Sequence, residues 1–192
     1  MTIYFWFGII SPFVSAIGYI PYVVSIVKGK TKPHPFSWFL WSIVGATVLF
    51  FCYAVGARDT LPLAVLNFIG PTCIFLFSAR YWEGKFSFFD YACLVLSLVS
   101  IVVYLLFHNA AVSLTIALVS DFFAYLPTIR KTYLHPEQED FLTWIFFTTG
   151  PILSILAVSS WTYAIGVFPV YLTTLSVVMC ILLLRGRLKK TS

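Results

Sequence analysis

AYLPTIRKTYLHPEQEDFLTW, Ala124 to Trp144, begins too apolar for a loop and carries a proline where a helix is expected. It then runs through a cluster of charges into a second apolar stretch. Another version lies upstream: GYIPYVVSIVKGKTKPHPFSW, Gly18 to Trp38. Laid without a gap, Tyr19 falls on Tyr125, Pro21 on Pro127, Ser37 on Thr143 and Trp38 on Trp144, each pair 106 residues apart. The chain therefore writes one phrase twice: apolar helix, proline, basic loop, next helix. Such internal symmetry sets the expected architecture before any single residue is weighed.

The 192-residue chain is 60% apolar and only 10% charged, with a mean hydropathy of +0.95. A soluble domain carries roughly a quarter charged residues, so most of this surface is expected to face the lipid bilayer. A spanning helix needs ~20 mostly apolar residues. Seven runs qualify: 3–27, 36–57, 61–80, 87–107, 110–129, 141–160 and 163–184. The breaks hold the charges and turn residues, namely KGKTKPHP, GARDT, RYWEGK, HN, RKTYLHPEQED and a tight WTY turn near Trp161. The fourth break rests mainly on His108 and Asn109. A membrane β-barrel would alternate in polarity over ~10-residue segments, whereas YACLVLSLVSIVVYLLF is apolar on every face.

Orientation follows from the cations. Lys28, Lys30 and Lys32 follow the first run, Arg80 and Lys85 the third, and Arg130 and Lys131 the fifth. Arg185, Arg187, Lys189 and Lys190 follow the seventh, and only Arg58 lies on the opposite side. The positive-inside rule makes the shared side cytoplasmic. The amino terminus is then outside and the carboxyl terminus inside, in a plasma (cell inner) membrane. The net charge of +5 is explained by this rule and calls for no nucleic acid. The first run has no basic residue before Lys28 and exceeds the ~7–15-residue apolar core of a signal peptide, so it reads as a retained helix. Lys30, Lys32 and His34 are placed to meet anionic lipid heads. Cys52, Cys73, Cys93 and Cys180 fall inside apolar runs and read as buried small hydrophobes. Glu137, Glu139 and Asp140, close to Arg130, Lys131 and His135, read as a solvated mixed-charge loop.

Helices 1–3 (residues 1–85) and 5–7 (109–192) form the two copies, and helix 4 (86–108) links them. Three spans flip the chain and the fourth flips it back, so both copies enter the membrane from the same side. The expected fold is all-α and integral to the membrane. It has seven transmembrane helices in two parallel three-helix bundles joined by a linker helix. A site at the bundle interface would lie on their common axis, along the membrane normal.

The repeated phrase, with YAVGARDTLPLAVLN from Tyr53 to Asn67, resembles the PQ-loop proteins, among them the SWEET sugar facilitators and half-length SemiSWEET relatives. The likeness covers nearly the whole chain as a 3+1+3 pattern. The glutamine that names the motif is Tyr22 in the first copy and Thr128 in the second. Phe50 stands where SemiSWEET sequences usually carry tryptophan. The resemblance implies transport of a small solute, sugar-like first of all, with hinge prolines, a pocket asparagine at Asn67 and an outer gate of Tyr53, Arg58 and Asp59.

The residues leave several alternatives open. Pro21 and Pro127 each remove a helix hydrogen bond, which suits a fixed kink or a hinge. Pro151 falls opposite Gly45, so both copies weaken the helix there. Asn67 can donate and accept, either to a solute or across helices. Setting Pro169 against Pro62 puts Thr174, beside Thr173, opposite Asn67. Phe50 is a candidate pocket wall. Trp38 and Trp144 suit interfacial anchors or an inner aromatic gate. Tyr53, Arg58 and Asp59 form an exposed turn with an ordinary ion pair or an outer gate. Asp121 is an acid near mid-membrane, aligned with Ser15. An ionisable group at that depth is by default a functional hypothesis. It would couple protons, bind a cationic group of the solute, or tie two helices together.

The expected function is a carrier of a small polar solute by alternating access, with proton coupling as an option. The alternative is a receptor or scaffold that binds without transporting. No metal-ligand cluster, nucleophile with a base, or glycine-rich phosphate loop points to an enzyme or a cofactor. One 3+1+3 chain suffices for a pathway, and the oligomeric state is open.

Overall fold

The computed structural model describes residues 3–31, 33, 35–78 and 88–191. Lys32, His34, Arg80 and Lys85, used above for orientation and lipid contact, lie outside the described residues. Within them the chain is all helical: α1 (Ile3–Val27), α2 (Pro35–Ala54), α3 (Leu61–Ser78), α4 (Phe88–Phe107), α5 (Ala110–Leu134), α6 (Phe141–Ala157) and α7 (Tyr163–Thr191). A single 3-10 turn, Pro136–Gln138, precedes α6. Helices α1, α2, α3, α5 and α7 are long and apolar enough to cross a bilayer, as in a membrane-embedded protein. The apolar stretches of α4 and α6, Tyr91–Phe107 and Phe141–Ala157, are shorter.

The helix ends have local causes. Gly29, at φ 67°, closes α1. The amides of Gly29 and Lys30 turn back to the carbonyls of Ile26 and Ser25 there, a left-handed glycine cap. Helix α2 stops at Ala54 rather than at 57, because the chain reverses through Gly56 at φ 76°. His108, at φ 49°, breaks α4 from α5. The Asn109 side chain then caps α5 by accepting from the Val112 amide at 3.1 Å. Helix α5 continues to Leu134, so Arg130 and Lys131 are helical rather than in a loop. Helix α6 ends at Ala157, not 160, where Val158 turns to an extended backbone.

Helix α7 runs past the expected 184 to Thr191. The guanidinium of Arg185 lies 4.1 Å over the Tyr133 ring and that of Arg187 lies 4.2 Å over Phe141. These contacts hold the basic end of α7 against the loop between α5 and α6.

Helix α3 packs against both α1 and α2, and α7 packs likewise against α5 and α6. Across the middle, α1 meets α6 and α2 meets α5, while α4 lies on α5 and α2. Leaving α4 aside, exchanging α1 with α5, α2 with α6 and α3 with α7 maps these main contacts onto themselves. The pairing of α1 with α6 turns into that of α5 with α2.

Large apolar side chains of α1 face outward and small or polar ones face in, the reverse of a water-soluble helix. On α1 the buried residues are Gly8, Ser11, Ser15, Gly18 and Tyr22, whereas Phe5, Ile9, Phe13, Ile17 and Ile20 are exposed. Lipid tails are as apolar as leucine, so small residues that let backbones approach carry helix packing there. Of the cysteines, Cys52 and Cys93 are buried as expected, Cys180 is half-buried, and Cys73 is exposed on α3.

Gly45 shows how tight this approach becomes. A Cβ there would overlap the Asn67 carbonyl oxygen and sit 2.9 Å from the Phe68 Cα, both backbone atoms of α3. Gly45→Ala therefore has to push α2 off α3. By analogy with other overpacked sites it should cost about 1–3 kcal/mol, read as a lowered melting temperature in detergent. An unchanged melt would show that α2 and α3 are not held this closely.

Candidate functional site

A cavity of about 60 Å³ lies between α1, α2, α3, α5, α6 and α7. Its wall is built twice over. Ser15 and Asp121, Tyr19 and Tyr125, and Trp38 and Trp144 all line it. So do Trp41 with Phe147, and Leu66 with Leu172. Every pair is 106 residues apart, the ungapped spacing of the repeated phrase.

The six rings of this wall form a closed circuit. Tyr19 lies 6.4 Å from Trp38, and Trp38 lies 5.0 Å from Trp41. Trp41 is 5.0 Å from Tyr125, and Tyr125 is 6.3 Å from Trp144. Trp144 is 5.8 Å from Phe147, which returns to Tyr19 at 4.8 Å. Each contact in one half has its counterpart in the other, within the 4.5–7 Å spacing of favourable aromatic pairs. The helical period explains the register: 15 and 19, 38 and 41, 121 and 125, and 144 and 147 are one-turn neighbours on a single helix face.

The polar groups break the symmetry. Tyr171 Oη donates to Asp121 Oδ2 at 2.9 Å, where the first copy has Ser15. Ser15 Oγ and Trp41 Nε1 are buried and find no hydrogen-bond partner among the described residues. Asn67 and Pro71 of α3 add an amide and a backbone feature. Proline lacks an N–H, so Pro71 leaves the Asn67 carbonyl without its helical partner. Asp121 is the one acidic residue in the wall, and no Lys, Arg or His joins it among the described residues.

Beyond the ends of α2 and α6, Asp59 Oδ2 accepts from the Ser159 amide at 3.0 Å and from its hydroxyl at 2.6 Å. This joins the turn after α2 to the turn after α6. Arg58 does not pair with Asp59 but lies 4.0 Å over the exposed Tyr53 ring. Between α5 and α6, Glu137 is exposed beside His135 at 3.4 Å, as expected of a solvated loop, but the other two acids are engaged. Glu139, with its side chain only 2% exposed, pairs with Lys131 and accepts from Trp144 Nε1 at 3.3 Å. Asp140 caps α6, accepting from the Thr143 amide at 2.8 Å and its hydroxyl at 2.9 Å.

The expected site residues divide accordingly. Asn67, Asp121, Trp38, Trp144 and Pro151 meet at the cavity. Trp38 and Trp144 are 5% and 4% exposed, so they are wall residues rather than interfacial anchors. Phe50 is exposed and stacks at 5.4 Å on Tyr104 of α4, because it sits off the helix face that carries Trp38 and Trp41. Thr174 is exposed, and Thr173 bonds back to the Pro169 carbonyl. Neither lines the cavity, since Leu172 is the α7 residue that reaches it. The leucine pair also returns α3 and α7 to the ungapped spacing, setting Thr173 rather than Thr174 against Asn67. Pro21 and Pro127 are half-buried in helices that run unbroken through them and do not line the cavity. Trp41, Phe147, Tyr171 and Ser159 had drawn no attention in the sequence. The 106-residue spacing applied to every aromatic would have found the first two; nothing local marks the others.

The Asp59–Ser159 pair yields a direct measurement. Hydrogen bonds to a charged group are worth ~1.5–3 kcal/mol, so Asp59→Ala should speed amide exchange at Ser159 about tenfold or more, and unchanged exchange would show that the two turns are not held together. No family model, no curated protein and no solved structure matches this chain.

Proposed function

We propose that the chain is a membrane carrier of PQ-loop type that moves a small polar solute by alternating access. In this reading all seven helices span the bilayer, as two parallel three-helix bundles joined by α4. The basic inner loops face the cytoplasm across a plasma membrane. At 1.5 Å per residue, α6 with its 17 residues covers about 25 Å, close to the ~30 Å hydrocarbon core. Neighbouring bundle helices shield it from much of the lipid.

One observation carries the proposal: the cavity is walled by matching positions of the two copies. A site on the axis relating two similar bundles can be exposed to either side when one rocks against the other. The Asp59–Ser159 pair at the outer ends crosses between the bundles, and so does the α1–α6 contact. Pro21, Pro127 and Pro151 each lower the cost of bending a helix that borders the cavity. Tyr53 and Arg58 flank the outer turn that would have to move.

Counterflow in proteoliposomes is the test, with labelled solute exchanged against a gradient of unlabelled solute. Accumulation above equilibrium supports a carrier; solute binding without counterflow favours a receptor or scaffold. Pro127→Ala restores a helix hydrogen bond. If it adds ~1.4 kcal/mol to the opening barrier, flux should fall about tenfold while solute affinity is kept. Undiminished flux would remove Pro127 from the mechanism.

A further inference from the structure

The wall of the cavity is richer in rings than a hydrogen-bonding site requires. Three tryptophans, two tyrosines and a phenylalanine close around about 60 Å³ of space. A single water needs ~10–15 Å³, so the space suits a compact head group rather than a disaccharide. Against the rings stands one carboxyl, Asp121. Tyr171 bonds one of its oxygens at 2.9 Å, and no cationic side chain reaches the wall among the described residues.

Ring faces carry the negative end of the aromatic quadrupole and attract cations, tryptophan most strongly. A carboxylate among them adds charge of the same sense. With a neutral solute Asp121 would have to stay protonated or stand as a charge without a counter-charge in a water-poor setting, which is costly. A cation corrects the imbalance. A hard metal ion fits less well, because Ca²⁺ wants six to eight oxygen ligands and Mg²⁺ an octahedron of them, whereas most of this wall is ring and aliphatic carbon. Softly hydrated ammonium groups have the right character.

We infer that the solute bound here is a small organic ammonium ion, its charged head enclosed by the six-ring wall with Asp121 as counter-ion. Trp41 Nε1, Ser15 Oγ and the Asn67 amide, all at the wall, are left for a polar tail such as a hydroxyl. Asp121 is then a solute ligand rather than a proton relay. The inference rests on the carrier reading only for what happens after binding.

The test compares choline with 3,3-dimethylbutan-1-ol, in which carbon replaces the charged nitrogen at nearly the same shape, by calorimetric titration of the purified full chain. Glucose is run alongside. A desolvated cation–π contact is worth ~2 kcal/mol or more, so choline should bind at least tenfold more tightly than the alcohol. Asp121→Asn should remove most of that preference, weakening choline tenfold or more with the alcohol unchanged. Trp41→Leu should weaken choline, and Trp41→Phe should recover part of the loss. Equal affinity for choline and the alcohol would overturn the inference, and that comparison needs no variant. So would binding of glucose alone, or an Asp121→Asn chain that keeps choline affinity and loses only pH dependence. Choline bound without counterflow would instead sink the carrier reading and leave the ammonium site standing. Glucose counterflow without choline binding would do the opposite.

Discussion

How closely α1 can approach α6 sets the geometry of everything else in the molecule. The buried face of α1 is glycine and serine as far as Tyr22, and α6 offers Gly150, Pro151, Ser154 and Ala157 in return. Ser11 Oγ donates to the Gly150 carbonyl at 2.8 Å. A Cβ on Gly150 would collide with Ser15 Oγ, and one on Gly18 would sit 2.9 Å from the Phe146 Cβ. In lipid no hydrophobic force draws two helices together, so this contact depends on backbone closeness and a few hydrogen bonds.

The same seam in the other half is made differently. Where α1 has Gly8, Ser11 and Gly18, α5 has Leu114, Ala117 and Ala124, and these pack on Val44, Val48 and Phe51 of α2, all buried. One seam is therefore narrow and polar, the other wide and aliphatic. The cavity lies between them with matched rings but unmatched polar groups, and the asymmetry at Ser15 and Asp121 continues the asymmetry of the seams. The repeated positions supply the ring wall, and the facing positions that differ supply its polar groups.

The two ends of the molecule show the same division. The turns after α2 and α6 meet through a carboxylate on one side and a serine on the other, a pairing that neither copy contains by itself. The start of α6 is held by Glu139, Lys131 and Asp140. The first copy has Pro33 at the place of Glu139, so the Glu139 ion pair has no counterpart there. Each end is thus tied by a contact whose residues the repeat does not duplicate.

Helix number, apolar character and the 106-residue repeat were legible from the chain alone, because backbone hydrogen bonding in lipid permits little but helices and the repeat is local in register. Asn67 and Asp121 were also within reach, since each is a polar residue out of place for its depth, whereas Trp38 and Trp144 stood out only by their repetition. Phe50 and Thr174 misled because sequence position says nothing about which side of a helix a neighbour covers; Tyr104 of α4 and the turn of α7 decide that. Glu139 was read as solvated because its charges are adjacent in sequence to other charges, whereas Trp144 lies over it in space. Tyr171 and Ser159 came from nowhere local. Their partners, Asp121 and Asp59, are 50 and 100 residues away, and only the packing of α1 on α6 and α5 on α7 brings such distant groups within hydrogen-bond reach.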